Sequence, residues 1–187
     1  MIAPWPGGPS DISRWRQPPD RENDNNAVAP RQRRRKIPAM PSTHLSLHYH
    51  VVFSTKNRVS NIADSWRDRL HAYLGGVVRN VHGVPEAIGG IADHVHLLIG
   101  LRATACLADV VRDIKGVSSR WVHEEIGDRA FAWQEGYGAF TVSVSQRDVV
   151  RAYIARQEEH HRKRTFQEEY VELLKRSGVE YDERYLW

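Results

Sequence analysis

The sequence predicts an α+β domain built on a small antiparallel sheet. Three observations point there. β-prone stretches alternate with helical patterns in the order β-α-β-α-β-α, with one more helix after them. The strands are short, with a single helix between successive ones, which suits a small sheet with helices on one face. No internal repeat and no Gly-rich phosphate loop of the Walker or dinucleotide type interrupts the alternation. A ferredoxin-like or RRM-like sandwich fits.

The elements follow in order. Residues 1–39 are rich in Pro, Asn, Asp and Arg and almost free of periodic apolar positions. With little apolar surface to offset chain entropy, they read as a disordered basic extension ending in Arg31–Lys36 (RQRRRK). They lack the apolar run of a secretory signal. Met40 immediately precedes the first patterned segment, so the upstream stretch also fits a mis-assigned start, with one domain over 40–187. Residues 44–54 (HLSLHYHVVFS) are β-rich. Trp66, Leu70, Tyr73, Leu74, Val77, Val78 and Val81 recur at helical intervals, and Gly83-Val84-Pro85 closes that helix. Residues 87–101 read as a second strand, where Gly89-Gly90 suggests a bulge or a close backbone approach. Leu107, Val110, Val111, Ile114 and Trp121 mark a second amphipathic helix. Residues 131–144 are β-prone and aromatic. Ser145 with Asp148 supplies a capping pair for the helix bearing Tyr153, and Thr165 with Glu168 repeats the device for the last helix.

Charge says little about the core. The chain has 27 Lys+Arg and 23 Asp+Glu; residues 1–39 hold eight and four of these, which leaves 19 of each. The excess of +4 therefore belongs to the extension, and any nucleic-acid surface on the core is a local patch. A single cysteine, Cys106, excludes an intramolecular disulfide and a Cys-rich zinc site. No apolar run is long enough to span a bilayer, and a cytoplasmic protein is the simple reading.

Two residue pairs carry chemistry. His94 and His96 have strand spacing, so both imidazoles leave one face while Val95, Leu97 and Ile99 enter a core. Such a pair can clamp a divalent metal. His48 and His50 repeat the spacing. The apolar run around His94/His96 argues for a central strand there, whereas the polar stretch around His48/His50 suits an edge. Tyr153 and Gln157 have helix spacing, one turn apart on one face. A phenol is a weak nucleophile near neutral pH, since its pKa is about 10. It becomes useful when a metal activates the phosphate it attacks. Gln157 offers a neutral oxygen ligand, and a His₂Gln set with open positions suits Mg²⁺ or Mn²⁺. His160 and His161 read as surface or DNA-contacting residues rather than ligands.

Residues 49–58 (YHVVFSTKNR), 93–98 (DHVHLL), 114–121 (IKGVSSRW), 133–137 (WQEGY) and 153–157 (YIARQ) occur in that order across the core. Together they resemble the single-tyrosine HUH transposases of small insertion sequences, the TnpA-like group that includes the REP-associated tyrosine transposases. The resemblance implies His94, His96 and Gln157 as ligands of Mg²⁺ or Mn²⁺ and Tyr153 as nucleophile. It also implies nicking and rejoining of single-stranded DNA with hairpin ends through a 5′-phosphotyrosine. A homodimer is implied too, in a family where one subunit's tyrosine often serves the other's histidines, so cis and trans sites both stay open; nucleoid association when bound to DNA goes with it. Lys56, Arg58, Lys115 and Arg120 lie in the matching stretches and are candidates for phosphate contact. Trp121, Trp133 and Tyr137 are candidates for base stacking, with core packing favoured for Trp121. Rival readings are a non-catalytic nucleic-acid-binding module, a phosphodiesterase using activated water, and a domesticated nick-and-join protein acting on repetitive extragenic palindromes.

Overall fold

The computed structural model describes residues 44–182, 184 and 186. The expectations for residues 1–39 lie outside them. Four strands form one antiparallel sheet: β1 (His48–Ser54), β2 (Val84–Gly90), β3 (His94–Gly100) and β4 (Gly138–Thr141), in the order β2-β3-β1-β4. Helix α1 (Asp64–Asn80) joins β1 to β2, and α2 (Leu107–Trp121) joins β3 to β4. This βαββαβ order is ferredoxin-like, the fold the sequence predicts, with four strands where the sequence reads three.

The single strand expected over 87–101 is a hairpin. It turns at Ile91, Ala92 and Asp93, and Val84-Pro85, read as the end of a helix, begin its first strand. Proline is tolerated there because β2 is an edge strand. The register irregularity falls between Pro85 and Ala87 rather than at Gly89-Gly90. Gly89 answers instead to close approach: a Cβ there would sit 2.6 Å from the Ile154 carbonyl oxygen.

Both faces of the sheet are covered. Val51, Phe53, Val95, Leu97 and Ile99 pack under α1 and α2 with Leu70, Leu74, Val78, Val111 and Ile114. These are the helices expected on one face. The opposite face carries α3 (Arg147–Ala155), α4 (Gln157–His161) and α5 (Phe166–Arg176). There Leu98 meets Val142 and Ile154, and Val52 meets Phe140, Phe166 and Leu174. The reason lies in β3, buried at every residue. A strand apolar on both sides needs cover on both.

Local devices fix the second layer. Thr165 caps α5 as expected: the Glu168 N–H donates to its hydroxyl at 3.3 Å, and its own N–H donates to the Glu168 carboxylate at 2.9 Å. Ser145 does not cap α3; its hydroxyl pairs with Ser143 at 3.0 Å, and a 3₁₀ turn at Val144–Gln146 leads into the helix. The Glu86 carboxylate of β2 ties α3 to the sheet, meeting Arg147 at 2.7 Å, Arg151 at 3.2 Å and His48 at 2.5 Å. No helix among the described residues is long and apolar enough to cross a membrane.

Candidate active site

β3 delivers His94 and His96 to the face covered by α3 to α5, and both are fully buried. Each ring is held through Nδ1, which leaves Nε2 aimed at one place. Asp93 Oδ1 lies 2.7 Å from His94 Nδ1, and Arg58 donates to the other Asp93 oxygen at 2.9 Å. Burial alone would raise the Asp93 carboxyl, but the hydrogen bonds and charges of His94 and Arg58 outweigh it and bring it to about 2. His50 Nε2 stands 2.9 Å from His96 Nδ1.

That contact corrects one expectation. β1 is not an edge strand; it lies between β3 and β4. In the β1–β3 register Val52 faces His96 and His50 faces Leu98, which puts His50 on the same side of the sheet as the His94/His96 pair. The two His-x-His motifs are therefore not rivals. One supplies the rings, and His50 of the other orients one of them. Burial lowers His50 to about 4, and burial with the neighbouring imidazoles lowers His96 well below its usual value. Neutral imidazoles with free Nε2 lone pairs are the form a metal binds.

Tyr153 and Gln157 reach the same place from the other side. They do not share one continuous helix: the backbone breaks at Arg156 (φ −110°, ψ 24°), so Tyr153 lies in the last turn of α3 and Gln157 begins α4. The break does not separate them in space. The Tyr153 ring lies 5.8 Å from that of His96, and Gln157 Oε1 lies 3.4 Å from His94 Nε2. Nucleophile candidate, imidazole pair and amide thus meet within a single chain. Two donors bound to one metal at 2.0–2.2 Å lie about 3 to 3.6 Å apart, so the His94–Gln157 spacing suits a shared ion.

Two participants escaped the sequence reading. His161, expected at the surface, turns inward, with Nε2 3.0 Å from Gln157 Oε1. Burial lowers it to about 4, with the charge of His94 next. Glu169 of α5 is 2% exposed and accepts hydrogen bonds on Oε1 from the Tyr153 hydroxyl and, at 3.1 Å, from Gln157 Nε2. Burial pushes its carboxyl up to about 8, with smaller contributions from Asp93 and Glu172. One donor atom from each of His94, His96, His161 and Glu169 lies within 4.8 Å of the others. Nothing in the local pattern around Glu169 marks it; its partners come from α3, α4 and β3. Asp93, by contrast, adjoins His94 in the DHVHLL stretch.

The candidate DNA contacts divide. Lys56 and Arg120 are exposed. Arg58 is engaged with Asp93, and Lys115 donates to the carbonyls of Gln134, Glu135 and Gly136 at 2.8, 3.2 and 2.6 Å, tying down that loop. Burial lowers the Lys115 ammonium to about 8. Trp133 is core: its indole N–H donates to Ser118 at 2.9 Å and its ring packs on Phe53. Trp121 stacks on Tyr73 at 4.9 Å, and Tyr137 stays exposed.

Known proteins share this arrangement of sequence. The sequence model of a family described as IS200-like transposases matches residues 43–157, well over half of the chain. The chain belongs to the IS200-like transposase family. Among relatives of this transposase is the ISDra2 transposase TnpA of Deinococcus radiodurans, 28% identical over 124 residues, or 59% of this chain and 84% of that protein. The crystal structure of a candidate transposase from Deinococcus radiodurans R1 is similar at a TM-score of 0.52 and 25% identity, over 63% of this chain and 96% of that one. A REP-associated tyrosine transposase bound to a REP hairpin gives a TM-score of 0.49 at 16% identity, over 65% and 74%. The family match ends at Gln157, so the transposase carries α5 and Glu169 beyond it.

Proposed function

We propose that this transposase nicks and rejoins single-stranded DNA through a 5′-phosphotyrosine on Tyr153. The observation that carries the reading is the meeting of Tyr153, His94, His96 and Gln157 in one buried site of one chain. His94 Nε2, His96 Nε2 and Gln157 Oε1 would hold Mg²⁺ or Mn²⁺. When bound, the ion polarises the scissile phosphate and neutralises charge that builds on its oxygens.

The chain's own residues do the rest. Asp93 and His50 fix the imidazoles through Nδ1, so each presents Nε2 without reorganisation. The Tyr153 oxygen attacks phosphorus, and the P–O3′ bond breaks. The departing 3′-oxygen gains a proton as the phenol loses one, so the exchange balances. Reversal with a different 3′-hydroxyl rejoins the strand and conserves the phosphodiester energy. α3 holds the phenol beside the histidines before substrate arrives, which is where positioning lowers the barrier.

Substrate with hairpin ends and a homodimeric assembly belong to the same proposal. Lys56, Arg58, Lys115 and Arg120 remain its candidates for phosphate contact, led by the exposed Lys56 and Arg120. A domesticated nick-and-join role on repetitive extragenic palindromes would use the same chemistry. The test is cleavage of a single-stranded hairpin substrate with Mn²⁺. Tyr153→Phe, His94→Ala and His96→Ala are each expected to lose at least about a hundredfold in rate. Retained cleavage in Tyr153→Phe, with loss in the histidine variants, would instead assign the attack to water.

A further inference from the structure

The Glu169 carboxylate is used on one side only. Its Oε1 takes the hydrogen bonds of Tyr153 and Gln157. Its Oε2 is buried and makes no hydrogen bond, and the same is true of His96 Nε2. These two atoms stand 3.6 Å apart. His94 Nε2 is 3.8 Å from Oε2, and His161 Nε2 is 3.0 Å from it, though the latter nitrogen is already paired with Gln157. A buried carboxylate oxygen and a buried imidazole nitrogen left unsatisfied beside each other are costly unless something joins them. A divalent cation satisfies both at once.

We infer that Glu169 is a further ligand of the metal, its Oε2 joining His94, His96 and Gln157 while its Oε1 holds the Tyr153 hydroxyl. The inference rests on the metal reading proposed above and adds to it a residue from outside the family-matched segment. Two imidazoles, one amide oxygen and one carboxylate leave a hard cation open positions for phosphate oxygens. The carboxylate also lowers the net charge buried with the ion, which His94, His96 and Gln157 as neutral donors do not. One side chain then links the ion to the nucleophile.

α5 is built to place that side chain. Its first turn is fixed by the Thr165/Glu168 capping box. Phe166 stacks on His94 with ring centroids 4.3 Å apart. Tyr170 lies so close to β4 that a Cβ at Gly138 would sit 2.8 Å from its ring. A cleft of about 330 Å³, lined by His50, Tyr153, His160, Arg164 and Glu169 among others, gives access from solvent. Gln157 keeps Oε1 for the metal while its Nε2 donates to the carboxylate, and His161 Nε2 stands beside both.

The test is direct Mn²⁺ binding by the metal-stripped full chain, followed by calorimetry and by electron paramagnetic resonance, without DNA. His96→Ala serves as the control for the site. Glu169→Gln keeps the shape and the Oε1 acceptor but removes the charge; Glu169→Ala removes both oxygens. Circular dichroism of each stripped variant establishes that it is folded. Both variants are expected to bind Mn²⁺ at least about tenfold more weakly than the parent chain, with an altered resonance spectrum. Parent-like affinity and spectrum in both, with loss in His96→Ala, would overturn the inference and leave the histidine site standing. The inference would equally fall if Glu169→Ala bound Mn²⁺ normally and cleaved DNA faster, since the carboxylate would then be a plug. A parent chain that binds no Mn²⁺ would overturn the metal reading itself, and this inference with it.

Discussion

Arg58, Asp93 and His94 form a relay in which each member acts through the next. The Arg58 guanidinium holds Asp93, and Asp93 holds His94 Nδ1. Asp93→Asn keeps the shape but weakens the orienting bond, so Mn²⁺ affinity is expected to fall about 10- to 100-fold, measured by calorimetry. Protonation gives a second residue-scale prediction. Burial lowers His50 and His161 from 6.5 to about 4. Between those values the unfolded chain takes up protons that the folded chain refuses, so stability falls as pH drops from about 6.5 towards 4. Asp93 acts lower: its folded value of about 2 lies below the ordinary 3.8, so its contribution is present above about 4 and lost towards 2. Glu169, raised to about 8, works in the opposite direction as a single carboxyl, so the thermal midpoint of the metal-free chain is expected to decline from about pH 6.5 to 4, where the imidazoles outnumber it. A midpoint indifferent to pH over that range would contradict the neutral, buried imidazoles.

In the proposed mechanism helix α3 is the element on which the chemistry depends, since it brings Tyr153 over the sheet. Gly89 permits this, with the Ile154 carbonyl where a Cβ would intrude, and Glu86 fixes it through Arg147 and Arg151. Gly89→Ala is expected to push α3 outward and to cut cleavage at least about tenfold while the circular dichroism spectrum stays native. At this scale the sequence was partly legible. Period-two and period-3.6 patterns located β1, α1, α2 and α5, and a Thr-x-x-Glu box marked the start of α5. The β2–β3 hairpin was hidden because Ile91 and Ala92 extend the apolar run through the turn. The break at Arg156 was hidden because Tyr153-Ile154-Ala155-Arg156-Gln157 reads as one uninterrupted turn. His50 was visible yet misjudged: only strand order could show that β1 is central. Glu169 carried no local signal, because its partners lie 8 to 75 positions earlier in the chain on three different elements.

At the scale of the molecule, one chain brings the residues of the candidate site together. Strand β3 and helices α3, α4 and α5 of one chain suffice to bring together the histidines, Tyr153, Gln157 and Glu169. Mixing Tyr153→Phe with His94→Ala is therefore expected to restore no cleavage, since every site keeps one defect. Recovery of activity on mixing would show that the tyrosine helix is exchanged between subunits. The central claim is the covalent intermediate, and its most direct measurement uses single-stranded hairpin DNA carrying distinct labels at its two ends, incubated with Mn²⁺ and resolved under denaturing conditions. The account predicts that only the label on the 3′ side of the nick stays with the protein, attached to a peptide containing Tyr153, and that Tyr153→Phe forms no adduct. Cleavage with both labels free of protein, or an adduct on any other residue, would contradict it.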